Sequence, residues 1–270
     1  MSARWRVSRW AAVAAVAAAL AAVLACGCRE TKESRMRRNV RRVSETLALP
    51  DVEARMRCLQ DLSTDDLLTQ EPIYPHLADA AKARARDLVL RALDYTDTGR
   101  PEMAVHVISG MGPDLHDDAD RIGAHLHTAQ DAELRHLLAS ALAATGNEDA
   151  MRRHLSKALV AEPIRPNRLW YATFLWWHDL GPVEARLLTR RAGGKLPATE
   201  SEAIAELKKE RAAGSQEAAD ALCFTGHLEL LSAEQKADLA GRLGRGGQAR
   251  IFPPAPKAER EPPARGTRPD

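Results

Sequence analysis

Leu134-Arg135-His136-Leu137-Leu138-Ala139-Ser140-Ala141-Leu142-Ala143-Ala144-Thr145-Gly146-Asn147-Glu148-Asp149-Ala150-Met151 is the stretch that decides the fold. Leu134, Leu137, Leu138, Ala141, Leu142 and Thr145 recur at i, i+3, i+4, i+7, i+8 and i+11, the spacing of one face of an α-helix. Gly146 then ends that helix, because glycine accepts the left-handed backbone that closes a C-terminus. Asp149 stands early in the next helix, where a negative charge complements the positive end of the helix dipole. Met151, Leu155, Ala158 and Leu159 carry the second stripe. The reading is a helix, a glycine turn and a helix.

The same logic extends outward. Val52, Met56 and Leu59 follow helical spacing after Pro50-Asp51, and Ala81, Ala85, Leu88, Val89, Ala92 and Tyr95 form a further stripe. No segment alternates apolar and polar residues with β-branched enrichment, so no strand is expected. Gly99, Gly146, Gly181 and Gly214 are separated by 47, 35 and 33 residues. Three of them open one phrase: Gly146-Asn-Glu-Asp149-Ala150, Gly181-Pro-Val-Glu184-Ala185 and Gly214-Ser-Gln-Glu217-Ala218, with Gly99-Arg-Pro-Glu102 as a looser copy. A period of about 34 residues with a helix on each side marks stacked helical hairpins.

Three segments carry a family resemblance. These are Trp170-x-x-Thr173-Phe174-x-x-Trp177, Leu88-x-x-Arg91-Ala92-x-x-Tyr95, and Leu138-Ala139-x-x-Leu142 leading through Gly146 to Leu155, Ala158 and Pro163. Together they resemble tetratricopeptide repeats, with Phe174 where that family carries a small residue. The resemblance covers roughly residues 85–226. It implies an all-α fold, a right-handed stack of antiparallel helical hairpins whose first helices line a concave binding face. The 47-residue spacing after Gly99 implies an extra helix near residues 115–127. With Trp170 as the family's first aromatic, Trp170, Phe174 and Trp177 are expected as the core stripe. Arg168, Tyr171, Leu175 and His178 are then expected on the partner-binding flank, joined by Glu133 and His136 from the preceding repeat.

The N-terminus has its own logic. Arg4, Arg6 and Arg9 precede an uninterrupted run of Ala, Val and Leu over residues 11–25. A basic start and a short apolar run ending in small residues describe a secretory signal, too short for a membrane span. Val23-Leu24-Ala25-Cys26 resembles a bacterial lipobox, which implies that Cys26 is lipidated and becomes the new N-terminus. A plain cleaved signal or an uncleaved anchor are the alternatives. Gly27 follows the cysteine in place of the aspartate that retains such proteins in the inner membrane, so the periplasmic face of an outer membrane is favoured if the source has two membranes.

Charge divides the chain. Residues 29–42 hold seven basic residues against Glu30 and Glu33, whereas residues 43–247 hold 24 basic and 32 acidic, a net charge of −8. An acidic body has no electrostatic footprint for nucleic acid. A basic stretch beside a lipid anchor suits an anionic membrane surface. Past Gly244, Pro253-Pro254, Pro256, Pro262-Pro263 and Pro269 build no core, so a disordered, partly polyproline-like tail is expected.

Motifs of catalysis are missing. The chain has no zinc-protease His-Glu-x-x-His, no phosphate-binding lysine loop and no Gly-x-Ser-x-Gly elbow. Cys58 and Cys223 lie beside apolar stripes and read as buried inert thiols. His116, Asp117, Asp118, Asp120, His125, His127 and His136 are metal-competent types. The three aspartates, however, suit the solvated start of a helix, so no metal and no cofactor is assigned.

The expected layout is a signal peptide over 1–25, a lipidated, disordered basic tether over 26–48, a helical-repeat domain over 49–243 and a disordered tail over 244–270. The expected role is non-enzymatic: a lipid-anchored scaffold or adaptor for a protein partner in the bacterial envelope. A metal-dependent envelope enzyme and a passive tether are the competing readings.

Overall fold

Helices and short connections make up the described chain, and no strand occurs among the described residues. The computed structural model describes residues 31–63, 72–95, 99–189 and 195–251. The segment expected as a signal peptide and Cys26 lie outside the described residues, as do residues 252–270. The helices are α1 (Lys32–Leu47), α2 (Val52–Met56), α3 (Cys58–Ser63), α4 (Asp79–Ala92), α5 (Gly99–Met111), α6 (Ala119–Thr128) and α7 (Ala132–Ala144). They continue as α8 (Glu148–Ala161), α9 (Arg165–Trp177), α10 (Ala185–Leu188), α11 (Glu200–Ala212), α12 (Gln216–Phe224) and α13 (Ala233–Ile251). None of them is long and apolar enough to cross a membrane.

The chain divides into two compact units, residues 1–122 with 144–146, and residues 123–143 with 147–270. In the first, α5 packs on α3 and α4, and α1 packs on the same two helices. In the second, α8 packs on α9, α11 on α12, and α9 on α12. These are packed helix pairs. The stripes read from sequence are their buried faces: Ala81, Ala85, Leu88, Val89 and Ala92 in α4, and Met151, Leu155, Ala158 and Leu159 in α8.

Gly146 and Gly214 close their helices as read, whereas Gly99 opens α5 and Asp179 (φ 57°), two residues before Gly181, takes the left-handed conformation that closes α9. Gly146, Gly181 and Gly214 have φ of 69°, 130° and 94°, in the left-handed region that costs an L-residue but not glycine. Asn147 and Ser215 then cap α8 and α12, each accepting a backbone N–H three residues on. The extra helix implied by the long Gly99–Gly146 spacing is a 3₁₀ turn over Gly112–Asp118 running into α6.

Two boundaries need correction. The segment expected as a disordered tether is helical over Lys32–Leu47, capped by the Thr31 side chain, with Met36, Val43 and Leu47 buried. Its charge is high, but its apolar residues stand at helical spacing, and the helix packs on α3 and α4. Residues 244–251, expected within the disordered tail, are helical. Helix α13 bends at Gly244 (φ 68°, ψ −158°) and continues to Ile251, whose side chain is buried. Gly-rich sequence suggests a chain end, yet a single glycine in a bend lets the following turn stay packed.

Candidate functional site

Helix α9 is apolar on nearly every side, so periodicity alone selects no inner face. Pro166 opens it with a φ already suited to a helix. Its buried residues are Asn167, Arg168, Leu169, Tyr171, Ala172, Thr173 and Leu175. Trp170 and Trp177 are 47% and 43% exposed. This reverses the expected arrangement. Arg168, Tyr171 and Leu175 are interior residues and present nothing to a partner, while the tryptophans expected in the core stripe face outward. Of the other expected contacts, Glu133 is exposed, and His136 and His178 are half-buried.

The physical reason is Glu162, on the connection between α8 and α9. Its carboxylate, 1% exposed, receives Nε and Nη2 of Arg135 at 2.7 and 2.9 Å. The Tyr171 hydroxyl donates to it at 3.0 Å and the Ile164 amide at 3.1 Å. Arg135 also donates to the carbonyls of Ala129 and Gln130, and Arg168 to those of Glu162 and Pro163. Asn167 donates to the Ala132 carbonyl at 2.9 Å, tying α9 to α7. Burial alone would push the Glu162 carboxyl up, but the bonds from Arg135, Ile164 and Tyr171 outweigh it and hold it below the ordinary range. Burial, with the charge of Glu162 beside it, raises the Tyr171 phenol. The Tyr171 hydroxyl and Nη1 of Arg168 thus enter the core already hydrogen-bonded.

The opposite face of α9 is different in kind. A groove of about 430 Å³ runs between α9, α12 and α13, with Leu169, Trp170 and Trp177 on one wall and Phe224, Leu239 and Leu243 on the other. Its rim is charged: Arg242 holds Asp220 with two bonds, and Glu217 lies 3.5 Å from Arg165. Trp170 is steadied by edge-on contact with His136 (5.0 Å between ring centres) and by Phe174 (6.0 Å). Burial holds the His136 imidazole below its usual range, with Glu133 opposing. At one end of α9, Trp176 packs on Phe224, and the Arg250 guanidinium lies 4.2 Å from the Trp176 ring centre.

Other side chains that sequence reading singled out are dispersed into structural contacts. Asp118 pairs with Arg86 at 3.0 Å, and His116 Nδ1 lies 3.4 Å from Asp117. His127 and His154 approach to 3.1 Å. Burial, Lys157 and His154 together hold His127 below the usual histidine range. Among the described residues no three His, Cys, Asp or Glu side chains are placed to hold a metal. Cys58 and Cys223 are free and buried, and burial pushes the Cys223 thiol up to about 12, leaving little thiolate at neutral pH.

Sequence reading missed the groove because two stripes of α9 compete. Residues 168, 171, 172 and 175 are as helical in spacing as 170, 174 and 177. The available signal was Glu162 just before α9: an acid next to a buried helix, with Arg135 a repeat earlier, offers a partner for the Tyr171 hydroxyl but none for a tryptophan. Comparison with protein-family models, curated proteins and solved structures found no match to this chain.

Proposed function

We propose that this chain is a lipid-anchored bacterial lipoprotein, held at the envelope through Cys26, whose helices form a right-handed tetratricopeptide-like stack and act as a non-enzymatic adaptor for a protein partner. The observation that carries the reading is the groove of Trp170 and Trp177. Two half-exposed tryptophans over an apolar floor are unusual on a free surface, where large apolar patches mark interaction sites. Tryptophan is also among the residues that dominate binding energy at interfaces. The anchor reading gains support from α1, which begins six residues after Cys26 and exposes Lys32, Arg37, Arg38, Arg41 and Arg42. Each such charge near an anionic membrane adds about 1 kcal/mol of attraction.

The test is in vivo crosslinking of the full chain in its native envelope, compared with Trp170→Ala/Trp177→Ala and with Cys26→Ser. The groove variant is expected to lose its crosslinked partner by a factor of about thirty, the equivalent of about 2 kcal/mol. Cys26→Ser is expected to abolish incorporation of labelled fatty acid. A crosslinked partner retained by the groove variant refutes the adaptor site, and label retained by Cys26→Ser refutes the anchor.

A further inference from the structure

We infer that His127 and His154 form an acid-sensitive latch between α6 and α8, held by one shared proton and opened by a second. The inference goes beyond the adaptor reading, because it concerns the Tyr171 side of α9 and not the tryptophan groove. Every residue it uses belongs to the second compact unit.

The first argument is the geometry of the pair. Nε2 of His127 and Nδ1 of His154 are 3.1 Å apart, while the ring centres are 5.2 Å apart. The rings therefore meet through their nitrogens and are not stacked. At that distance one nitrogen carries the proton and the other supplies the lone pair. A first added proton can enter at a ring nitrogen outside the contact and leaves the bond in place. A second makes both rings imidazolium, with an N–H on every nitrogen. No lone pair then remains between them, and two like charges face each other.

The second argument is the seat of His154. Gly123 stands one turn before His127 on α6, and any Cβ there would collide with the His154 ring. Glycine is a poor helix former, yet at this position it makes room for an imidazole. His127 belongs to α6 and His154 is packed onto the same strip of it. The two rings part only if His154 leaves that seat.

The third argument is the charge around the pair. His127 lines a cavity of about 430 Å³ together with Gln130, Arg135, Lys157, Glu162 and Tyr171. The groups facing it are thus Arg135 from α7, His154 and Lys157 from α8, Glu162 from the connection and Tyr171 from α9. Arg135 and Tyr171 already bond the Glu162 carboxylate. Lys157 adds positive charge. Among the described residues of that cavity wall, no second carboxylate balances two imidazolium rings. The downward displacement of His127 by burial, Lys157 and His154 agrees with this. A histidine held below its unfolded value of 6.5 stabilises the fold in its neutral form. That stabilisation is present above 6.5 and is lost as pH falls below it, toward and through the lower folded value.

The experiment uses the full chain in detergent. Melting temperatures are measured at pH 7.5 and pH 5.5, a window above the ordinary carboxylate range, for wild type, His154→Gln and Gly123→Ala. Histidine-selective isotope labelling follows the His127 ring by NMR across the same window. Wild type is expected to melt at least about 3 °C lower at pH 5.5. His154→Gln is expected to lose at least half of that difference, because an amide can donate or accept a hydrogen bond but takes up no proton. His127 is expected to titrate below 6.5 in wild type and to move upward in His154→Gln. Gly123→Ala keeps both histidines but displaces the His154 ring, and is expected to show the same reduced pH dependence. If Gly123→Ala does not fold, His154→Gln decides alone. A wild-type melting temperature indifferent to this window, an equal pH dependence in wild type and His154→Gln, or a His127 midpoint that His154→Gln leaves unmoved overturns the inference.

Discussion

The two faces of α9 spend the same kinds of residue in opposite ways. One face buries an arginine, a tyrosine and an asparagine against Glu162, Arg135 and backbone carbonyls. The other leaves Trp170 and Trp177 half in water over an apolar groove. Hydrophobicity scales order these residues the other way. What decides is hydrogen-bond satisfaction: a buried polar group with every partner in place costs little, while an unpaired one costs the full desolvation penalty. The lesson is that one acid on a connection can select which side of an apolar helix becomes the interior.

The sharpest way to break this comparison is to remove a partner from the buried side. Arg135→Ala leaves the Glu162 carboxylate buried and stripped of its charge partner, and is expected to destabilise the chain by about 3–5 kcal/mol in denaturant titration. A cost below about 1 kcal/mol would mean that Glu162 reaches water and does not organise α9. Next in size, Tyr171→Ala is expected to cost about 3–5 kcal/mol by loss of core packing. Trp170→Ala, at a half-exposed position, should cost less than half of that while removing partner capture. Comparable losses at the two positions would erase the distinction between the faces.

Acid should single out the buried side. The folded Glu162 carboxyl is held below its unfolded value of 4.5. Its ionised form therefore stabilises the fold above that value, and the stabilisation is lost as pH falls through the lower folded value. Unfolding free energies measured from pH 7 downward should stay apart for wild type and Glu162→Gln above pH 4.5 and draw together only as pH falls below that value. A gap between them that is constant with pH refutes the assignment. The smallest effect concerns the turn between α7 and α8. Gly146→Ala meets no atom within 4 Å but must hold a φ of 69°, so it is expected to cost about 1 kcal/mol, read as a small fall in melting temperature.

Much of this molecule is visible in one dimension. The helical stripes of α4 and α8, the turns at Gly146, Gly181 and Gly214, and the lack of strands among the described residues follow from residue spacing and glycine placement, because both act within a turn or two of chain. Helix α1 shows the limit of reading charge before phase. Its basic residues were legible, but Met36, Val43 and Leu47 matter only once α3 and α4 lie against them. The extension of α13 beyond Gly244 is of the same kind, since Arg250 and Ile251 are held by Trp176, Asp179 and their surroundings, far away in sequence.

The sequence by itself determined that this protein is helical and where several of its helix-to-helix turns fall. Those properties depend on local backbone preference and on periodicity. Only the tertiary structure decided which face of α9 is inside. That choice depended on Arg135 and Glu162, 27 residues apart, meeting around Tyr171, and on α12 and α13 forming the far wall beneath the tryptophans. Helical spacing states that two faces exist; only the partners brought from elsewhere in the chain state which one can afford to leave water.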